Sequence, residues 1–132
     1  MRSTEPTKTQ LEEFAGSDQD VPFDMVNLLK YRDMARYDSA DEDAKKRTGR
    51  EAYNEYGKVV LPKILALGGS LVYRGSCDHL FVGDASQHYD EIIIVHYPSR
   101  KAYLEMFRST EYQAAIQHRK AGLAFRVLHD VT

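Results

Sequence analysis

The sequence predicts an α+β fold, a ferredoxin-like plait with a four-stranded antiparallel sheet and its helices on one face. Three observations lead there. Strand and helix patterns follow one another in the order strand, helix, strand, strand, helix, strand. A chain of 132 residues is the size of one domain with one core. Most strand segments are apolar on both faces, whereas a sheet with one wet side alternates. Helices cover one face of such a sheet, so the other needs a cover too. A second copy of the chain is the simplest one, and a homodimer is expected.

Each element has its own signal. Residues 1–20 are polar, and within them "TQLEEF" reads as a short helix with Thr9 as N-cap, Glu12 completing a capping box, and Leu11 and Phe14 as apolar contacts. "FDMVNLLKY" (23–31) reads as the first strand, with Met25, Asn27, Leu29 and Tyr31 on one face and Val26, Leu28 and Lys30 on the other. Residues 32–47 are charged and lack an apolar period. A connection that long reads as a lid or a poorly ordered insert. From Thr48 a long helix follows. Thr48 and Glu51 form a capping box, Tyr53, Tyr56, Val60, Ile64 and Leu67 form one stripe, and Gly68-Gly69 stops it.

"SLVYRGS" (70–76) is the second strand, which "LFVG" (80–83) could continue. The third runs from about Asp90 to Tyr97. Ser99 caps a second helix, and Thr110 with Gln113 restarts a short one that Gly122 ends. "LAFRVLH" (123–129) is the last strand. The organisation is thus a polar segment, 1–20, and one domain, 21–132, with a charged insert at 32–47.

Composition excludes several function classes. The formal net charge is -2, from 18 Lys plus Arg against 20 Asp plus Glu, which argues against a nucleic-acid partner. No apolar run approaches the ~20 residues of a membrane span. The lone Cys77 cannot form an internal disulfide and fits a reducing cytoplasm. Its neighbours Asp78 and His79 do not make a thiol–imidazole pair, because adjacent side chains on an extended chain point apart. His79, His88, His96, His118 and His129 show no metal-ligand spacing, so neither a metal nor another cofactor is expected.

The stretches "EAYNEYG", "LPKI" before the Gly-Gly pair, "DEIIIVHYPSRKAYLEMFRSTEYQ" and "HRKAGL" resemble the family known as domain of unknown function 1330. The likeness runs from about Val21 to Leu128. It implies a ferredoxin-like fold that pairs into a dimeric α/β barrel. The chain departs from the shortest family members in its long 32–47 insert, and it carries His96 where a glutamate is commoner. Related dimeric barrels include cofactor-free monooxygenases, haem-degrading enzymes, isomerases and stress-response dimers, so this fold does not fix a function.

The candidate residues come from the strands and the first long helix. Histidine changes charge near neutral pH, which suits proton transfer, and His96 shares its face with Ile92 and Ile94. Asn27, flanked by Val26 and Leu28, is a buried amide that needs partners. With Val26, Leu28, Ile93 and Val95 turned to the helices, Asn27 and His96 would share one cavity on the other face as the catalytic pair. Tyr53, Tyr56, Tyr73 and Arg74 are the ligand-binding candidates. The expected function is a small-molecule-binding dimeric barrel protein with cofactor-independent acid–base chemistry of the monooxygenase or isomerase kind. The alternative is a non-catalytic dimeric ligand-binding or stress-response scaffold.

Overall fold

The computed structural model describes residues 2–38 and 42–132. The elements are α1 (Lys8–Gly16), β1 (Phe23–Tyr31), α2 (Glu42–Lys45), α3 (Gly49–Ala66), β2 (Ser70–Ser76), β3 (Glu91–Tyr97), α4 (Arg100–Phe107), α5 (Thr110–Gly122) and β4 (Leu123–Val131). They form one sheet in the order β2-β3-β1-β4, antiparallel throughout. This is the ferredoxin-like plait, with β3 and β1 in its centre.

Burial alternates along both central strands and shows which face the helices cover. Phe23, Met25, Leu29 and Tyr31 of β1 and Ile93, Val95 and Tyr97 of β3 are buried in the core with Tyr53, Tyr56, Val60 and Ile64 of α3. Residues directly opposite one another across a ladder share a face. The register therefore puts Val26, Leu28, Ile92, Ile94, Phe125 and Val127 together on the face without helices. Val26 and Leu28 were expected toward the helices, and the structure reverses that assignment. Both faces of β1 are apolar, so period-two alternation by itself carries no sign.

Local chemistry sets the helix ends. Thr48 accepts from Glu51 N at 3.1 Å while Glu51 accepts from Thr48 N at 3.0 Å, closing the expected box. Gly68, at a φ of 94°, takes the left-handed turn that ends α3. Two caps sit earlier than expected. Thr7 with Gln10 opens α1 in place of Thr9 with Glu12, and Ser109 opens α5 in place of Thr110. In each case the earlier hydroxyl offers the same bond and adds length to the helix. "LFVG" does not continue β2. It lies in the β2–β3 loop, where Phe81 is 94% and Val82 83% exposed.

The start of α3 and the end of α5 meet backbone to backbone. A Cβ on Gly49 would lie 2.0 Å from Arg32 O and 2.6 Å from Gly122 O. Residues next to that contact are pinned as well: Arg32 N donates to Gly122 O at 2.8 Å, and Arg36 N to Ala121 O at 2.9 Å. The described part of the 32–47 stretch is thus bonded to the end of α5, while residues 39–41 of it lie outside the described residues.

Candidate functional site

His96 and Asp24 face each other across β3 and β1 on the open side of the sheet. His96 Nδ1 lies 2.7 Å from Asp24 Oδ1. Their backbones are in register, so the contact needs no unusual rotamer. Ser70 of β2 stands opposite His96, and Val131 of β4 opposite Asp24, which completes one row across the sheet. Tyr73 pairs with Ile94 and belongs to the same face. A carboxylate on one ring nitrogen fixes the tautomer and leaves the other nitrogen for a ligand. Asp24 was not among the expected residues. Only the β1–β3 register, which joins positions far apart in the chain, brings it to His96.

Asn27 lies on the opposite face, among the helices. Its Nδ2 donates to Met25 O and Ile93 O, each at 3.1 Å. The cavity expected to hold Asn27 and His96 together does not form, because residues of opposite parity on paired strands point to opposite sides of the sheet.

Arg74 also turns to the helix side, where it meets Glu91. Arg74 Nε donates to Glu91 Oε2 at 2.8 Å and its Nη2 to Oε1 at 3.1 Å. Tyr31 OH donates to the same carboxylate, Arg50 Nη1 stands 3.5 Å from it, and Asn54 takes a further bond from Arg74. Burial alone would push Glu91 up. The bonds from Arg74 and Tyr31 and the charges of Arg74 and Arg50 outweigh it and hold this carboxyl below its usual range. A carboxylate so enclosed is a structural anion and a poor proton carrier.

Tyr53 and Tyr56 lie on the helix side too. Tyr56 belongs to a third polar group, centred on Arg119, which is 0% exposed. Arg119 Nη1 donates to Tyr112 OH at 2.9 Å and Tyr56 OH at 3.4 Å, and those two hydroxyls are 2.8 Å apart. Its Nη2 donates to Glu5 Oε1 at 2.5 Å. Burial pushes the Tyr112 phenol up to about 12 and raises Tyr56 as well, so both are neutral hydroxyls at physiological pH. Beside this group runs a groove of about 690 Å³, between the N-terminal segment, α4 and β4. Neither Arg119 nor Glu5 was among the expected residues.

The remaining chemistry is sparse. Burial and the carboxylates of Asp90, Asp78 and Glu91 push the Cys77 thiol up, the reverse of what a nucleophile needs. Among the described residues no group of three His, Cys, Asp or Glu side chains could hold a metal ion. No helix among them is long and apolar enough to cross a membrane.

Comparison with known proteins supports the fold. The chain is 33% identical to a protein of unknown function from Rhodopseudomonas palustris, with a TM-score of 0.88, over 99% of this chain and 96% of that one. It also resembles a protein from Arabidopsis thaliana, at 14% identity and a TM-score of 0.55, over 83% of this chain and 93% of that one. A third likeness is to a dimeric ferredoxin-like protein of unknown function from Thermobifida fusca, at 15% identity and a TM-score of 0.51, over 86% of this chain and 92% of that one. No curated protein matches the chain. Residues 44–129 match the family described as Domain of unknown function (DUF1330). That stretch is most of the sequence and carries α3, α4, α5, β2, β3 and nearly all of β4, so the chain belongs to the DUF1330 family.

Proposed function

We propose that the protein is a homodimer, closed sheet to sheet into a barrel, in which His96 and Asp24 move a proton on a small molecule held between the two sheets. The observation that carries this reading is the 2.7 Å His96–Asp24 contact on an apolar sheet face that none of the described helices covers. Water leaves such a face when a second copy meets it, at roughly 25 cal/mol per Å² of apolar surface. The exposed Phe81 and Val82 beside that face add to the surface that a partner would cover.

The chemistry follows from the pair. Asp24 accepts a hydrogen bond from Nδ1–H and holds the ring, so Nε2 presents a lone pair. Nε2 takes a proton from an acidic C–H or O–H of the bound molecule and returns it at another position, with the imidazolium stabilised by Asp24 in between. Tyr73, on the same face, supplies an aromatic wall. Asn27, Tyr53, Tyr56 and Arg74 lie behind the sheet and take no part.

The test combines light scattering with a thermal-shift screen of small compounds. The native protein should be a dimer of the 15.1 kDa chain. Compounds that raise its melting temperature should include one that it converts, and His96→Gln should lower that conversion about a hundredfold or more while still binding the compound. A monomer at micromolar concentration, or equal turnover by native protein and His96→Gln, overturns the proposal.

A further inference from the structure

Among the described residues the buried guanidinium of Arg119 is paired with one carboxylate, and that one comes from the N-terminal segment. Neither group is satisfied by the other. Arg119 Nε and Glu5 Oε2 are both buried without a hydrogen-bond partner. An ion pair that leaves one polar atom of each member unpaired has given up solvation without full compensation. Burial works against the charge of Arg119, and Tyr56, Tyr112 and Glu5 together keep its pKa above the ordinary value, so the cation persists.

Glu5 is also a wall of the 690 Å³ groove, a volume typical of small-molecule sites. The rest of that wall has two characters. Phe14, Met25, Tyr103, Phe107 and Leu128 make it apolar and aromatic, and Arg2 and Arg126 add cations. The segment carrying Glu5 is held by few bonds. Arg126 N donates to Ser3 O at 3.0 Å, Arg126 Nε donates to Thr4 O at 2.5 Å, and Arg2 bonds to Ser86 O while stacking on Phe125.

We propose that Arg119, Tyr56 and Tyr112 form a binding site for a small organic carboxylate with an apolar or aromatic body, and that Glu5 occupies its anion position as an internal stand-in. A ligand carboxylate that replaces Glu5 meets Arg119 Nη2, which now holds Glu5, and the unpartnered Nε, so it can use both its oxygens. Its apolar body lies along Tyr103, Phe107 and Leu128. The site is on the other side of the sheet from His96 and stands independently of the barrel reading.

The experiment uses benzoate as the probe, benzamide as its neutral isostere and sodium chloride at matched ionic strength. Thermal unfolding and amide NMR titration are followed on native protein and Glu5→Ala, with Glu5→Gln as the second variant should the first not fold. Removing Glu5 should lower the melting temperature, and benzoate should restore it where benzamide and chloride do not. Benzoate should bind the variant about tenfold or more tighter than the native protein, with amide shifts at Tyr112, Arg119 and Arg126. Equal binding of benzoate and benzamide, equal affinity in native protein and variant, or no benzoate binding to a folded Glu5 variant overturns the proposal.

Discussion

Arg74 grips Glu91 from the neighbouring strand through two parallel hydrogen bonds, 2.8 and 3.1 Å long, on the helix-facing side of the sheet. Glu91 is 4% exposed. With Tyr31 and Arg50 on the same carboxylate, this pair ties β1, β2, β3 and α3 together at one end of the core. Replacing Glu91 by Gln keeps the shape and removes the charge, leaving Arg74 and Arg50 side by side. The expected cost is about 3 kcal/mol, read as a lower denaturant midpoint. An unchanged midpoint would show the cluster to be energetically neutral.

The same residue gives an acid signature. The Glu91 carboxyl titrates below its usual range when folded, so its contribution is fully present above the unfolded value, about 4.3, and is lost as pH falls through the folded value. Native protein should lose stability across that window more steeply than Glu91→Gln. Denaturant titrations between neutral pH and about pH 3 read the difference directly.

His118 acts at higher pH. Its Nδ1 shares a 2.7 Å hydrogen bond with Tyr37 OH, and burial, with the nearby Arg47 charge, lowers its pKa. A histidine that is less basic when folded stabilises the protein above its unfolded value, about 6.5, and that stability drains away as pH falls through the lower folded value. Unfolding free energy should therefore drop on going below about pH 6.5, and His118→Gln should remove this step. A step that persists in the variant assigns it to another group.

Gly49 is the tightest point of the fold. Adding one methyl group there meets main chain on two sides, so neither neighbour can rotate away. Gly49→Ala should cost about 1–3 kcal/mol or more. Gly57, whose Cβ would meet nothing within 4 Å, is the control in the same helix, and Gly57→Ala should be neutral or stabilising.

Ile94 lies in the centre of the open face, between Val26 and Tyr73. Ile94→Lys should turn the expected dimer into a monomer with unchanged far-ultraviolet circular dichroism, since the side chain takes no part in the helix-side core. Light scattering of the variant checks this, and a dimer that survives the lysine places the interface elsewhere.

The strands, the order of helices and the family were legible because they rest on local signals: the Ile92–Val95 run, the Thr48–Glu51 box, the Gly68-Gly69 stop. The face on which each strand residue lies was half legible. Ile92, Ile94 and His96 went to the open side as read, but β1 was turned over. Val26 and Leu28 look like core residues, and Asn27 looks like a pocket residue, until the carbonyls of Met25 and Ile93 are seen to satisfy its amide. The polar clusters were not legible. Asp24 meets His96 and Glu5 meets Arg119 only through the strand register and the path of the N-terminal segment, and neither leaves a periodic trace in the sequence.

β2 and β4 are the outer strands of the sheet, and the chain guards their edges differently. On β2 the register slips between Leu71 and Tyr73, which distorts the ladder at that border. On β4 the guard is the main chain of Ser3, which takes the outward N–H of Arg126. The N-terminal strap is therefore also a stopper against sideways growth. If Glu5 lets go and the strap swings out, β4 is left as a bare template, and two such borders can zip together into a continuous eight-stranded sheet. Whatever opens the groove would thus expose a second way for copies of this chain to associate, edge to edge instead of face to face.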